Sequence, residues 1–280
     1  MKITIRHTTH PALAQVVDYF LFFTQTGNSL YGYHTFPNTN LCLAIYQQNQ
    51  IEHGRNEERN WYTVRAGGRM YASRLWGFHP MPLQVTIAAP VQQVCINFRA
   101  GALRHFTDKP YDDLLQSDRV FEEIFGKDAA SVLPRLFEET DDQDRTTMLE
   151  MFLLQRLYSR KINPAIDWSI RRIYHTAGDI RIHELAEELQ VSPSTLFRKF
   201  QAIVGQAPKD FIKTVRFRAT LHSLLTHNGK LVQVGYQHHY YDQAHFIREF
   251  KQLAGLLPGE VRTHTAVLNN QFVFLHRHSA

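Results

Sequence analysis

Hydrophobic positions change their period along this 280-residue chain, and the changes divide it. Before residue 100, short runs rich in apolar and β-branched residues predict strands at LCLAIY (41–46), MYASRLW (70–76), QVTIAA (84–89) and QQVCINF (92–98). Turn signals separate them at Pro37 to Asn40, Gly67-Gly68 and Pro80 to Pro82. From about residue 101 the period is helical. DDQDRTTMLEMFLLQRLYSR sets Met148, Leu149, Phe152, Leu153 and Leu157 on one face behind an acidic first turn. Such a stripe marks burial, either on the chain's own β-rich region or on a second copy. Asn163-Pro164 in SRKINPA then breaks the pattern. Helices are predicted at about 164–176, 181–189, 193–204, 208–226, 230–237, 242–254 and 258–263, before TAVLNNQFVFLHRH returns to apolar alternation.

A single unit occurs twice within the helical region. Leu196, Arg198, Phe200, Gly205 and Pro208 are matched by Phe246, Arg248, Phe250, Gly255 and Pro258, each 50 positions later. In the first copy IHELAEEL predicts a short helix with Leu185, Ala186 and Leu189 inward. Ser192 and Pro193 follow as N-cap and first helical residue. Leu196, Phe200 and Ile203 bury the next helix. The second copy has LVQVGYQ, the turn HHYY, Asp242 as N-cap, and Phe246, Phe250 and Leu253 inward. Helix, tight turn and a polar, basic second helix make a helix-turn-helix reader. PKDFIKTVRFRATLHSLLTH between the copies predicts a rigid strut of about 26 Å, long enough to hold two recognition helices roughly one DNA turn apart.

Residues 165–264 resemble the AraC/XylS family of transcriptional regulators, through LAEELQVSPSTLFRKF, FIKTVRFRATLHSLL and DQAHFIREFKQLAGLLP. FRAGALRHF, the run to FEEIFG and the closing FVFL resemble the sensor domain of one subgroup. The resemblance implies DNA binding, an activator's role, a β-rich domain for a small-molecule effector or signal, a homodimer, and RNA polymerase as partner. The expected fold is α+β: an N-terminal β-rich domain, a cupin-like barrel or sandwich with trailing helices, over 1–160; an all-α domain of two helix-turn-helix units joined by a long helix over 161–264; and a tail or added strand over 265–280. The chain departs from the family at both turns, where Gln190 and His239 stand in place of glycine, and at Gly235, where a helical alanine is usual.

Composition narrows the alternatives. Apolar residues at 44% and charged residues at 20% describe a globular chain. Of the net charge of +5, residues 165–264 carry most, with 13 Lys and Arg against 9 Asp and Glu, which permits a nucleic-acid partner. Cys42 and Cys95 in apolar runs read as buried thiols of a reducing compartment. MKITIRHTTHPALAQVVDYFLFF is interrupted by Pro11 and Asp18 and makes a poor signal peptide, and no apolar run approaches the ~18 residues of a membrane span. A cytoplasmic protein is expected. Six histidines before residue 110 lack metal-ligand spacing, HEL at 183 lacks a second histidine, and no nucleophile with a placed base stands out. Neither enzyme activity, metal nor cofactor is expected. The alternatives are a β-barrel enzyme or a protein-interaction module with an appended DNA-binding domain.

The candidate DNA contacts are Ser192, Ser194, Thr195, Phe197, Arg198, Lys213, Gln243, His245, Arg248 and Lys251. Arg198 and Arg248 are placed to fork onto guanine, with phosphate binding or bracing as the other readings. Gln243 and His245 start the second recognition helix; Phe197 either meets thymine methyls or turns inward. Ser192, Lys209, Lys213, Arg216 and Lys251 read as phosphate contacts or surface charge. Trp61, Tyr62, Arg69, Trp76 and Phe78 are candidates to line a pocket, with core packing as the alternative. His238 and His239 read as solvated turn residues or pH sensors.

Overall fold

The computed structural model describes residues 1–27, 30–55, 60–157, 163–226, 230–269 and 272–276. Among these, the β-rich region contains β1 (Lys2–Arg6), α1 (Pro11–Ala14), β2 (Val17–Gln25), β3 (Tyr31–Thr35), β4 (Leu41–Arg55), β5 (Asn60–Trp76), β6 (Leu83–Ile87) and β7 (Val91–Phe98). Four helices follow: α2 (Tyr111–Gln116), α3 (Val120–Phe125), α4 (Leu133–Glu138) and α5 (Asp142–Leu154). The remainder is α6 (Pro164–His175), α7 (Ile182–Glu188), α8 (Pro193–Val204), α9 (Pro208–Thr226), α10 (Leu231–Gln237), α11 (Gln243–Ala254) and α12 (Pro258–His264), then β8 (Thr265–Asn269) and β9 (Phe272–His276). The expected boundary at 160/161 lies outside the described residues.

One nine-stranded sheet runs β1-β2-β7-β4-β5-β6-β3-β9-β8, with β5 and β6 parallel and the other described pairs antiparallel. The chain's last hairpin therefore extends the sheet formed by its first strands, β9 pairing with β3. β2 shows why its sequence, VDYFLFFTQ, does not alternate: the strand is covered on both sides. Phe20 and Phe22 enter a core shared with α2 to α5, while Tyr19, Leu21 and Phe23 enter a second core on the opposite face. A strand with two apolar faces loses the period-2 signature. For that reason β2 is absent from the sequence expectation; β1 and β3, also absent from it, are five-residue strands whose apolar residues, Ile3 and Ile5 and Tyr31 and Tyr33, all pack on the second core. The segment weighed as a poor signal peptide supplies two strands and a short helix. Gly67-Gly68 is also corrected: both lie inside β5 at positive φ, opposite a register shift at Gln47/Asn49, rather than between strands.

The apolar stripe of α5 is covered within the chain. Leu149, Phe152 and Leu153 join the first core, with Met148 and Leu157 against it. The face weighed as a dimer contact is thus already occupied.

In the helical region, α8 ends at Gly205 and α11 at Gly255, both left-handed, at φ 93° and 71°. Phe200, Phe211 and Ile173 bury α6 to α9; Phe217, Phe246 and Phe250 bury α9 to α12. Phe36, just after β3, enters the latter core and meets Phe217 at 6.2 Å between ring centroids.

Gln190 and His239 adopt the left-handed conformation expected of their turns, at φ 53° and 57°. Such backbone costs an L-residue roughly 1–2 kcal/mol, partly offset by glycine's greater unfolded-state entropy. Gln190 is exposed, whereas the His239 ring meets Asp179 at 3.1 Å in an exposed pair. Gln190→Gly should therefore stabilise the protein by about 0.5–1 kcal/mol, and His239→Gly by less, since it also removes that contact. Chemical denaturation of the two single mutants checks the order.

Candidate nucleic-acid interface

Both recognition helices start at a capped N-terminus. The Ser192 hydroxyl accepts from Thr195 N at 3.2 Å, and Asp242 Oδ1 accepts from His245 N at 2.7 Å. Each cap satisfies a backbone donor that would otherwise be left open, and each sets the helix's entry angle. Burial of Leu196 and Phe200 in α8 leaves Ser194, Phe197, Arg198, Lys199 and Gln201 exposed. Burial of Phe246, Phe250 and Leu253 in α11 leaves Gln243, Ala244, Arg248, Lys251 and Gln252 exposed. Phe197, at 45% exposure, does not turn inward. α9 spans 19 residues, about 28 Å, and Lys213 sits half-buried on it.

Three candidates look different once packed. His245 is half-buried, its Nδ1 accepts from Tyr241 N at 3.4 Å, and its ring lies 5.5 Å from that of Tyr240. Its ring is held by its own helix-turn-helix unit. Arg216 is not a surface phosphate contact. Its guanidinium donates from Nη2 to both carboxylate oxygens of Glu249, at 2.7 and 3.0 Å, and lies over the Tyr240 ring at 5.0 Å. This nearly buried pair fastens α9 to α11. His238, read as solvated, is buried with Nε2 2.8 Å from the Ser223 hydroxyl. Burial first, then the neighbouring His239 and His222, hold its pKa below the ordinary histidine value.

The 50-residue offset conceals an insertion. Val191 N bonds Ala186 O, and Tyr240 N bonds Gly235 O; both pairs are 49 apart between copies, as are the left-handed Gln190 and His239. From the N-caps onward the offset is 50. The second turn is one residue longer, and the additional residue, Tyr241, is 88% exposed beside the start of α11. Comparing the two spacings in the sequence would have found it. Gly235 has a packing reason: a Cβ there would lie 3.2 Å from the Phe246 ring.

Of the candidate pocket residues, Tyr62 and Trp76 do line a cavity, their rings stacked at 4.4 Å. Trp61 does not line it, Arg69 pairs with Asp118 at 3.5 Å, and Phe78 points at α8. Arg218 of α9 joins the cavity wall, a placement with no signal in the sequence pattern.

Residues 185–264 match the helix-turn-helix domain family, and residues 5–119 match a domain of unknown function. An uncharacterised HTH-type transcriptional regulator of Haemophilus influenzae is 26% identical over 115 residues, 41% of this chain and 38% of that protein. An AraC-like transcription regulator of Streptomyces antibioticus is 31% identical over 83 residues, 30% of this chain and 27% of that protein. The matches span less than two fifths of the length of these curated relatives. Among solved structures, ToxT from Vibrio cholerae superposes with a TM-score of 0.45 at 11% identity, over 87% of this chain and 97% of that one. No described helix is long and apolar enough to cross a membrane.

Two measurements probe the second unit. Arg216→Ala strands Glu249 in a nearly buried site and should cost about 3 kcal/mol, while leaving the first unit's packing intact; urea unfolding reads the loss. Because the folded pKa of His238 is lowered, its contribution is complete above the unfolded value of about 6.5 and declines as pH falls below it. Between pH 7 and pH 5.5 the wild type should lose more stability than His238→Gln, compared by parallel denaturation series.

Proposed function

We propose, from the premise that residues 185–264 are a helix-turn-helix domain of the AraC type, that the protein is a sequence-specific DNA-binding transcriptional regulator rather than an enzyme. It reads two adjacent major-groove segments, and its β-rich region senses a small molecule or signal. The observation that carries this reading is the pair of equivalent exposed faces, each on a capped recognition helix and joined by one continuous α9. A recognition helix contacts base edges from its N-terminal turns. Arg198 and Arg248, each the sixth residue of its 12-residue helix, stand at equivalent places in α8 and α11, both exposed. Residues 1–160 serve as the sensing domain, 161–264 as the DNA-binding domain, and 265–280 as a tail whose strands β8 and β9 add an edge to the sensing sheet. Double-stranded DNA, RNA polymerase and a small effector are the proposed partners, in the cytoplasm.

Within this reading, Arg198, Gln243 and Arg248 contact bases, and Phe197 offers apolar surface to a thymine methyl. Ser192, Ser194 and Thr195 cluster their hydroxyls at the start of α8, with Ser192 3.1 Å from Ser194, where a helix N-terminus favours a phosphate. Lys213 and Lys251 supply further phosphate contacts. His245 braces α11 instead, and the inserted Tyr241 gives the second unit an exposed ring at its turn, where the first unit has no counterpart.

Arg198→Ala and Arg248→Ala should each weaken binding by roughly 1–3 kcal/mol and relax base preference at positions about one helical turn apart. Lys213→Ala and Lys251→Ala should weaken binding to all sequences alike and lower the salt slope by about one each. The measurement is titration against site variants of the DNA upstream of the gene, at several salt concentrations. Loss of preference with Arg198→Ala alone would restrict base reading to the first unit.

A further inference from the structure

The loop between β5 and β6, Gly77 to Pro82, touches the same structural position in both repeats. A Cβ on Gly205, the C-cap of α8, would overlap the Phe78 ring. A Cβ on Gly255, the C-cap of α11, would lie 2.9 Å from Pro82 Cγ. Phe78 is held edge-on to Tyr111 at 5.4 Å, and Tyr111 Oη donates to Ile203 O at 2.8 Å. Arg104 Nε donates to Ala202 O at 3.0 Å, so the last carbonyls of α8 are also fastened to the β-rich region. Phe78 has φ 58°, an outlier for a bulky residue that surrounding contacts must sustain.

The inner side of this loop borders the cavity. Trp76, Gly77, His79 and Leu83 line it with Tyr19, Tyr33 and Tyr62, and Arg218 adds a side chain of α9 to its wall. Its volume is about 120 Å³, close to the ~150 Å³ of an engineered apolar cavity that accepts benzene. Burial keeps the tyrosines protonated, and it pushes the His79 pKa down to about 4. No carboxylate lines the described wall, and Asp18 and Tyr19 lie within electrostatic reach of Arg218. His79 Nε2 is shielded and has no hydrogen-bond partner among the described residues. A small rotation of the His79 ring would open that nitrogen to the cavity, where a ligand hydroxyl would satisfy it in either tautomer, since it donates and accepts.

We propose that this cavity binds an uncharged, single-ring hydroxylated aromatic compound, and that loop Gly77 to Pro82 transmits its presence to both recognition helices through Phe78 and Pro82. His79 meets the ligand from inside. Its neighbours Phe78 and Pro82 meet the two C-caps from outside, and two prolines stiffen the loop so that one displacement reaches both contacts. The ligand therefore alters the relation of α8 to α11, and with it the affinity for a two-segment site.

The inference rests on the DNA-binding reading, and the test separates them. Phenol, toluene and benzoate are titrated into full-length protein while tryptophan fluorescence and thermal unfolding are followed. DNA affinity is then measured for a two-segment and a one-segment site. Phenol should bind better than toluene or benzoate, Trp76→Phe should remove the fluorescence response, and His79→Leu should abolish the advantage of phenol over toluene. Phenol should change two-segment affinity by about fivefold and leave one-segment affinity unchanged. Phe78→Ala and Pro82→Ala should keep phenol binding but lose that change, with Phe78→Leu intermediate. Equal binding of toluene and phenol, or an intact DNA response in both loop variants, overturns the proposal. Phenol binding without any DNA binding by the wild type overturns the regulator reading and leaves the cavity assignment standing.

Discussion

Bare backbone at two helix ends organises this molecule. α8 and α11 each stop at a left-handed glycine, a conformation glycine adopts without a Cβ penalty, and each uses the glycine N–H to satisfy a carbonyl of the last turn, Gln201 O or Lys251 O. With no side chain at either cap, the β5–β6 loop can approach closely enough to seat Phe78 on one and Pro82 on the other. The two helices are thereby held at their C-terminal ends, and their N-terminal turns, where base contact is proposed, are left exposed. Any side chain at Gly205 would meet both the positive φ and the Phe78 and Tyr111 rings.

The two units solve one packing problem with different chemistry. In the first, α8 is fixed by apolar burial and by Arg104 and Tyr111 donating to its last carbonyls. In the second, Arg216 and Glu249 tie α9 to α11, Tyr240 lies over that guanidinium, and His238 bonds Ser223 beneath the turn. A nearly buried ion pair is costly to break yet contributes little net stability relative to apolar packing. Apolar contacts are non-directional, whereas a bidentate pair fixes orientation, so in the second unit the ion pair adds a fixed orientation to the burial that Phe217, Phe246 and Phe250 supply. Its longer turn, with Tyr241 in solvent, also gives the two reading faces different borders.

The sheet connects the chain's ends. β9 pairs with β3, Phe36 enters the core of the second unit, and Arg218 reaches from α9 into the cavity wall. Contacts of this kind place cavity, loop and strut within one packed structure. Packed interiors respond to a change in occupancy by shifting between discrete arrangements rather than by deforming smoothly, which is the physical basis for coupling a small cavity to distant helices.

The sequence by itself determined the helical region almost residue for residue: α8 and α9 run as expected at 193–204 and 208–226, both N-caps are in place, and Gln190 and His239 are left-handed. These features are local. Helical period, capping chemistry and cap glycines act within a few residues, so the chain reports them directly. What only tertiary structure decided is non-local. β2 carries apolar residues on both faces because cores lie on both sides, which erases alternation. Arg216 and Lys213 look alike in the sequence, yet only Arg216 has Glu249 within reach, 33 residues away. Phe78 reads as a pocket aromatic until the fold brings Gly205 to it. Each depends on distant segments meeting, and the energy of such a meeting resides in the pair, not in either residue's neighbourhood along the chain.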